Sequence, residues 1–199
     1  MNDLFDAAFA QTRVMGIFRG KPPEDTVRLC RAAWDAGVVA VEVPVQNDAA
    51  FASLAEAVAA RGEGQLVGAG TVRTPDQLRR AADAGAQFTV APGTDPEIIA
   101  LSIELGVPHL PGVATATDIH RALLAGAEWV KAFPAAELGP SWISAQLAPF
   151  PEAKFVATGG IGADNAGDFL AAGARGVAIG SAFEDPELLA AMTEAGLLG

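Results

Sequence analysis

A chain of 199 residues holds one domain of moderate size, and a second would have to be very small. Hydrophobic residues at 51% and charged ones at 19% supply a large core and exclude a disordered chain. Thirteen basic residues against 24 acidic ones give a formal charge of −11, which argues against nucleic acid and an anionic membrane surface but not against a small anionic substrate held in a pocket.

The acidic start (Met1-Asn2-Asp3-Leu4-Phe5-Asp6) has no basic region before an apolar stretch, so no signal peptide is expected. No apolar run reaches the ~18 residues needed to cross a bilayer. The single cysteine, Cys30, cannot close an internal disulfide, and a reducing cytoplasm is the expected compartment. Residues 1–12 read as an extra helix capping the base of the fold.

From there an apolar run recurs along the chain. The first is Val14-Met15-Gly16-Ile17-Phe18. Others follow a glycine: Val38 to Val41 after Gly37, Leu66-Val67 after Gly64, Phe88 to Val90 after Gly85, Val107 to Leu110 after Gly106, Trp129-Val130 after Gly126. Lys154-Phe155-Val156-Ala157 and Val177-Ala178-Ile179 complete eight runs. Their spacing of about 20–25 residues is near the minimum for a strand, a helix and two short loops. The stretches between have helical periodicity, and the glycines after them read as helix C-caps. Thr74-Pro75 and Asp95-Pro96 read as a capping residue followed by a first-turn proline. Eight such units predict a single-domain α/β fold, a (β/α)8 TIM barrel over residues 1–199, with a doubly wound sheet as the rival.

In such a barrel chemistry sits at the C-terminal ends of the strands. Two ionisable residues there interrupt apolar strands: Glu42 in Val41-Glu42-Val43-Pro44 and Lys131 in Val130-Lys131-Ala132-Phe133. Both lie on even-numbered strands, the second and sixth, so they are expected to face the barrel interior together. They read either as a buried ion pair with no chemistry or as an amine nucleophile with a carboxylate acid/base. Burial favours the neutral form of an amine, which can attack a carbonyl.

Thr158-Gly159-Gly160-Ile161 and Gly180-Ser181 follow the seventh and eighth runs. They read as turn glycines or as the phosphate cradle common after those strands. Arg19 ends the first run, as a solvated loop arginine or as an anion fork. Thr71 reads as a carboxylate ligand or as a helix cap, a task that Thr74 fits better. Pro92-Gly93 ends the fourth run. His109 is expected to point into the barrel and His120 to lie on a helix surface. Neither belongs to a metal-ligand cluster, and Gly68-Ala69-Gly70 lacks the third glycine of a dinucleotide fingerprint.

Taken together, these motifs resemble the class I aldolases that act on 2-keto-3-deoxy-6-phosphogluconate or its galactonate epimer. The resemblance runs from about Val14 to Ser181. It is carried by Gly16-Ile17-Phe18-Arg19-Gly20, Val41-Glu42-Val43-Pro44, Val67-Gly68-Ala69-Gly70-Thr71, Val90-Ala91-Pro92-Gly93, Leu110-Pro111-Gly112, Val130-Lys131-Ala132-Phe133-Pro134 and Thr158-Gly159-Gly160-Ile161. It implies Lys131 as the Schiff-base lysine and Glu42 as the general acid/base. Thr71 would meet the pyruvate carboxylate and Phe133 would line the pocket. Pro92 would lie at the substrate, and Arg19, Gly159, Gly160, Gly180 and Ser181 would bind it, chiefly at its phosphate. It also implies a homotrimer working without cofactor or metal on a phosphorylated 2-keto-3-deoxy sugar acid that yields pyruvate. Many gluconate-type members have an arginine four residues after the glutamate; here that position is Gln46.

The remaining alternatives are an aldolase for an unphosphorylated 4-hydroxy-2-oxo acid, a phosphate-binding isomerase or synthase without a Schiff base, and a binding protein that kept the pocket.

Overall fold

A computed structural model describes residues 2–198. Helix α1 (Asn2–Gln11) leads into β1 (Val14–Ile17), α2 (Pro23–Asp35), β2 (Ala40–Pro44), α3 (Asp48–Ala60), β3 (Leu66–Gly70) and α4 (Pro75–Asp83). Then come β4 (Phe88–Val90), α5 (Pro96–Leu105), β5 (His109–Leu110), β6 (Gly112–Val113), α6 (Ala116–Leu124), β7 (Trp129–Ala132), α7 (Ala135–Leu138) and α8 (Pro140–Leu147). The chain ends with β8 (Lys154–Thr158), α9 (Ala166–Ala171), β9 (Gly176–Ile179), a 3₁₀ turn (Ser181–Glu184) and α10 (Pro186–Glu194).

The strands are parallel and ordered β5-β4-β3-β2-β1-β9-β8-β7-β6, so β9 returns to pair with β1. The eight expected strands become nine because Pro111 splits the fifth into β5 and β6. Proline has no N–H to give the ladder, yet its carbonyl still accepts from the Lys131 amide at 2.8 Å. β5 pairs with β4 and β6 with β7, so chain continuity through Pro111 completes the (β/α)8 TIM barrel.

Local chemistry starts the helices as the sequence predicts. Thr74 Oγ1 accepts from the Gln77 amide at 3.2 Å, and Asp95 Oδ1 from the Glu97 amide at 2.9 Å. Thr115 and Asp118 form a reciprocal capping box at α6. Gly106 closes α5 in the left-handed conformation.

Alternation along the strands divides the core into two layers. Val41, Val43, Val67, Ala69, Val130, Phe155 and Val177 point outward against the helices. Met15, Ala40, Phe88, Val90, Leu110, Trp129, Val156 and Ala178 point inward. Helix α1 plugs the base of this interior. Phe9 stacks on Trp129 with centroids 4.9 Å apart, and Phe5 meets Phe88 edge-on at 5.6 Å. Asp6 ties the plug down by accepting from Trp129 Nε1 at 3.2 Å and Lys154 Nζ at 2.8 Å.

His109 departs from expectation. Leu110 fills the inner layer, so the residue before it must point outward. His109 is buried there, with Nδ1 2.8 Å from Thr89 Oγ1 and Nε2 without a partner among the described residues. Burial lowers its pKa to about 4, against a smaller opposing pull from Asp95. His120 lies exposed on α6, as expected.

Candidate active site

The mouth of the barrel at the C-terminal strand ends holds a cleft of about 640 Å³. Its lining brings together Arg19, Thr71, Pro92, Lys131, Phe133, Gly159, Gly160, Gly180 and Ser181. Glu42 lies beneath this lining, fully buried. The inner-layer register explains the convergence. Glu42 shares the inward face of β2 with Ala40, and Lys131 shares that of β7 with Trp129.

Close packing makes room for the carboxylate. A Cβ on Gly70 would overlap the Glu42 carboxyl group, so any side chain at the end of β3 would have to push the carboxylate aside. Both Glu42 oxygens are buried without a hydrogen-bond partner among the described residues. Buried polar groups in folded proteins are nearly always paired, and exceptions tend to mark chemistry. Lys131 is 4% exposed. Its Nζ sits 5.1 Å from the Phe133 ring centroid, and among the described residues it forms no ion pair with Glu42. The bland alternative of a structural ion pair is therefore not what these two groups build.

Thr71 adopts φ 59°, a left-handed conformation that a β-branched residue avoids. Its Oγ1 accepts from Arg19 Nη1 at 3.3 Å. With its amide oxygen turned towards Arg19, Gln46 accepts from the same Nη1 at 2.6 Å and donates to the Pro44 carbonyl at 3.2 Å. Gln46 thus holds Arg19 beside Thr71, on the β2–β3 side of the mouth.

Across the cleft, Gly159 and Gly160 have φ of 97° and 69°, which aligns a backbone turn that side-chain-bearing residues rarely adopt. A Cβ at Gly159 would press on the Phe133 ring at 3.2 Å. Gly180 packs on the Ile17 carbonyl, again leaving no space for a Cβ. Ser181 is exposed at the start of the 3₁₀ turn. Successive backbone N–H groups at such turns suit an anion.

Ile17, Ala178 and Glu184 also line the cleft without having been singled out in the sequence, and Thr158 and Ile161 line it as the flanks of the Gly159-Gly160 motif. Ile17, Thr158 and Ala178 were accessible from strand parity, since each falls on an inward position. Glu184 carried no spacing signal.

The model of the KDPG and KHG aldolase family matches residues 5–195. The chain belongs to this family. Aldolases of this family are carbon–carbon lyases of the pyruvate type, and the chain is an enzyme of that kind. It is 37% identical over 178 residues to a probable 2-dehydro-3-deoxy-6-phosphogalactonate aldolase of Rhizobium meliloti, covering 89% of this chain and 84% of the relative. To a 2-dehydro-3-deoxy-phosphogluconate aldolase of Treponema pallidum it is 39% identical, covering 82% and 78%. A KDPG aldolase of Legionella pneumophila, solved with pyruvate captured as a covalent carbinolamine, superposes with a TM-score of 0.83 at 30% identity, covering 96% of this chain and 95% of that one.

Proposed function

We propose that this aldolase uses Lys131 as a Schiff-base nucleophile and Glu42 as acid/base to cleave a 2-keto-3-deoxy-6-phospho sugar acid reversibly into pyruvate and glyceraldehyde 3-phosphate. The observation that carries the reading is a buried amine and an unpartnered buried carboxylate, both on the inward face of a barrel beneath one cleft. The covalent pyruvate carbinolamine of the Legionella relative supports the same chemistry.

The Lys131 amine attacks the C2 ketone, and Glu42 supplies and recovers protons as the carbinolamine forms and loses water. The iminium ion is an electron sink. Glu42 takes the C4 hydroxyl proton, and the C3–C4 bonding pair flows to the iminium nitrogen as the aldehyde departs. Protonation of the enamine at C3 and hydrolysis release pyruvate and regenerate the amine. Arg19 and Thr71 suit the pyruvate carboxylate, because the guanidinium rests on the Thr71 hydroxyl. Gly159, Gly160, Gly180 and Ser181 suit the phosphate, whose remote contacts orient the bond that breaks. Pro92 and Phe133 close the walls.

Identity does not separate the two epimers, since gluconate-type and galactonate-type relatives match almost equally. Gln46 in place of the arginine seen in many gluconate-type members favours the galactonate type. A cleavage assay over both phosphorylated epimers and unphosphorylated 4-hydroxy-2-oxo acids tests the assignment. Turnover of a phosphorylated acid at least about tenfold above the plain acids is expected from the cradle contacts. Equal turnover would leave the unphosphorylated alternative.

Assembly as a homotrimer and a cytoplasmic site of action complete the reading. Ile103, Leu105 and Leu124 are exposed apolar residues on α5 and α6 that an interface would cover. Cys30 is a free thiol that burial pushes up to about 12, which keeps it inert. Among the described residues no helix is long and apolar enough to cross a membrane.

A further inference from the structure

Lys21 follows Arg19 and Gly20 on the loop after β1, and two features fix it. Its carbonyl accepts from the hydroxyls of Thr26 at 3.2 Å and Ser53 at 2.9 Å, both buried. Its Nζ reaches across the seam between β1 and β9 to Glu184 Oε2 at 2.6 Å. Glu184 ends the segment that begins at Ser181, and it lines the cleft alongside Gly159, Gly160, Gly180 and Ser181. A carboxylate on the rim of an anion cradle opposes an anionic ligand unless a cation neutralises it. Arg19, the other cation on this loop, is held on the far side by Gln46 and Thr71.

We propose that Lys21 is a further binding residue for the anionic end of the substrate, and that Glu184 is its built-in competitor. The inference rests on the phosphate assignment above and extends it to a residue pair outside the glycine cradle. When a phosphate dianion enters, the Lys21 ammonium exchanges the Glu184 carboxylate for phosphate oxygens; the lysine keeps its proton and no bond other than hydrogen bonds changes. Glu184 therefore sets how tightly the cleft holds phosphate and product. A purely structural ion pair would behave differently, since losing either partner would then have the same effect.

The test compares Lys21→Met, Glu184→Gln and the double variant with the wild-type chain. Inorganic phosphate binding is read by calorimetry, and KM is read for phosphorylated and unphosphorylated substrates. Lys21→Met should weaken phosphate binding and raise KM for the phosphorylated acid about tenfold, the size of one charge-assisted contact. KM for the unphosphorylated acid and kcat should stay within about twofold. Glu184→Gln should shift phosphate affinity the opposite way, tightening it about threefold by freeing Lys21. The double variant should fall between the two. Weakened phosphate binding in both single variants, or unchanged binding in Lys21→Met, overturns the proposal. Because calorimetry needs no turnover, a chain that binds phosphate in this pattern but cleaves no sugar acid contradicts the aldolase substrate and leaves the Lys21–Glu184 exchange standing.

Discussion

Thr71 shows what a single residue contributes and costs. Its φ of 59° places a β-branched side chain where the Cβ crowds the backbone, at roughly 1–2 kcal/mol. The conformation aims Oγ1 at Arg19, and backbone strain of this kind clusters at functional sites. Thr71→Gly removes the strain but adds chain entropy to the unfolded state, so a net gain of roughly 0.5–1 kcal/mol is expected in denaturant melts. The same variant should raise KM for the keto acid, as the hydroxyl is gone. Gly70→Ala should do the reverse of a stabilising change. Its methyl group must displace the Glu42 carboxylate, costing about 1–3 kcal/mol and slowing cleavage strongly while circular dichroism still reports the barrel. His109 makes a pH forecast. Its folded pKa of about 4 lies below the ordinary 6.5, so between these values the unfolded chain binds the extra proton. Stability is therefore full above about 6.5 and falls as pH drops towards 4, by about 3 kcal/mol in all. His109→Asn should lower stability at pH 8 and flatten that slope; an unchanged slope would place the acid sensitivity elsewhere.

At the scale of elements, the eight strand–helix units were legible because glycine caps and apolar runs alternate so evenly. Causes local in sequence carry straight into the fold: Thr74 and Asp95 cap their helices, and α1 plugs the base. What the sequence hid depended on neighbours. Pro111 breaks a ladder only because of the strand beside it, and the outward turn of His109 follows from Leu110 occupying the interior. Helix α1 gives the clearest separation of stability from catalysis. Phe5 is 1% exposed and lies at the end of the barrel opposite the cleft. Phe5→Ala should cost about 3–5 kcal/mol through the cavity it leaves. KM and kcat of the folded fraction should not move, because the ring packs on Phe88 and Trp129 at the base of the barrel. A comparable loss of kcat would mean that the base and the mouth of the barrel communicate.

For the whole molecule, the legible part of the site is the part that violates composition. Glu42 and Lys131 stand out because a charge inside an apolar strand is costly and asks for a reason. The contacts of Gln46 with Arg19 and of Lys21 with Glu184 were not legible, since loops distant in sequence meet only when the barrel closes. The proposed trimer belongs at this scale too. Sedimentation equilibrium should give three times the 20.2 kDa chain mass, and Leu124→Asp, at 76% exposure the most open of the apolar residues on α5 and α6, should shift the mass towards that of a single chain. The catalytic predictions rest on an amine that condenses with a ketone inside the cleft. Incubating the protein with pyruvate and borohydride, then mapping peptides by mass spectrometry, reads that step directly. The account predicts one reduced pyruvyl adduct, on Lys131, lost in Lys131→Ala; no adduct, or an adduct on another lysine that survives that substitution, would contradict it.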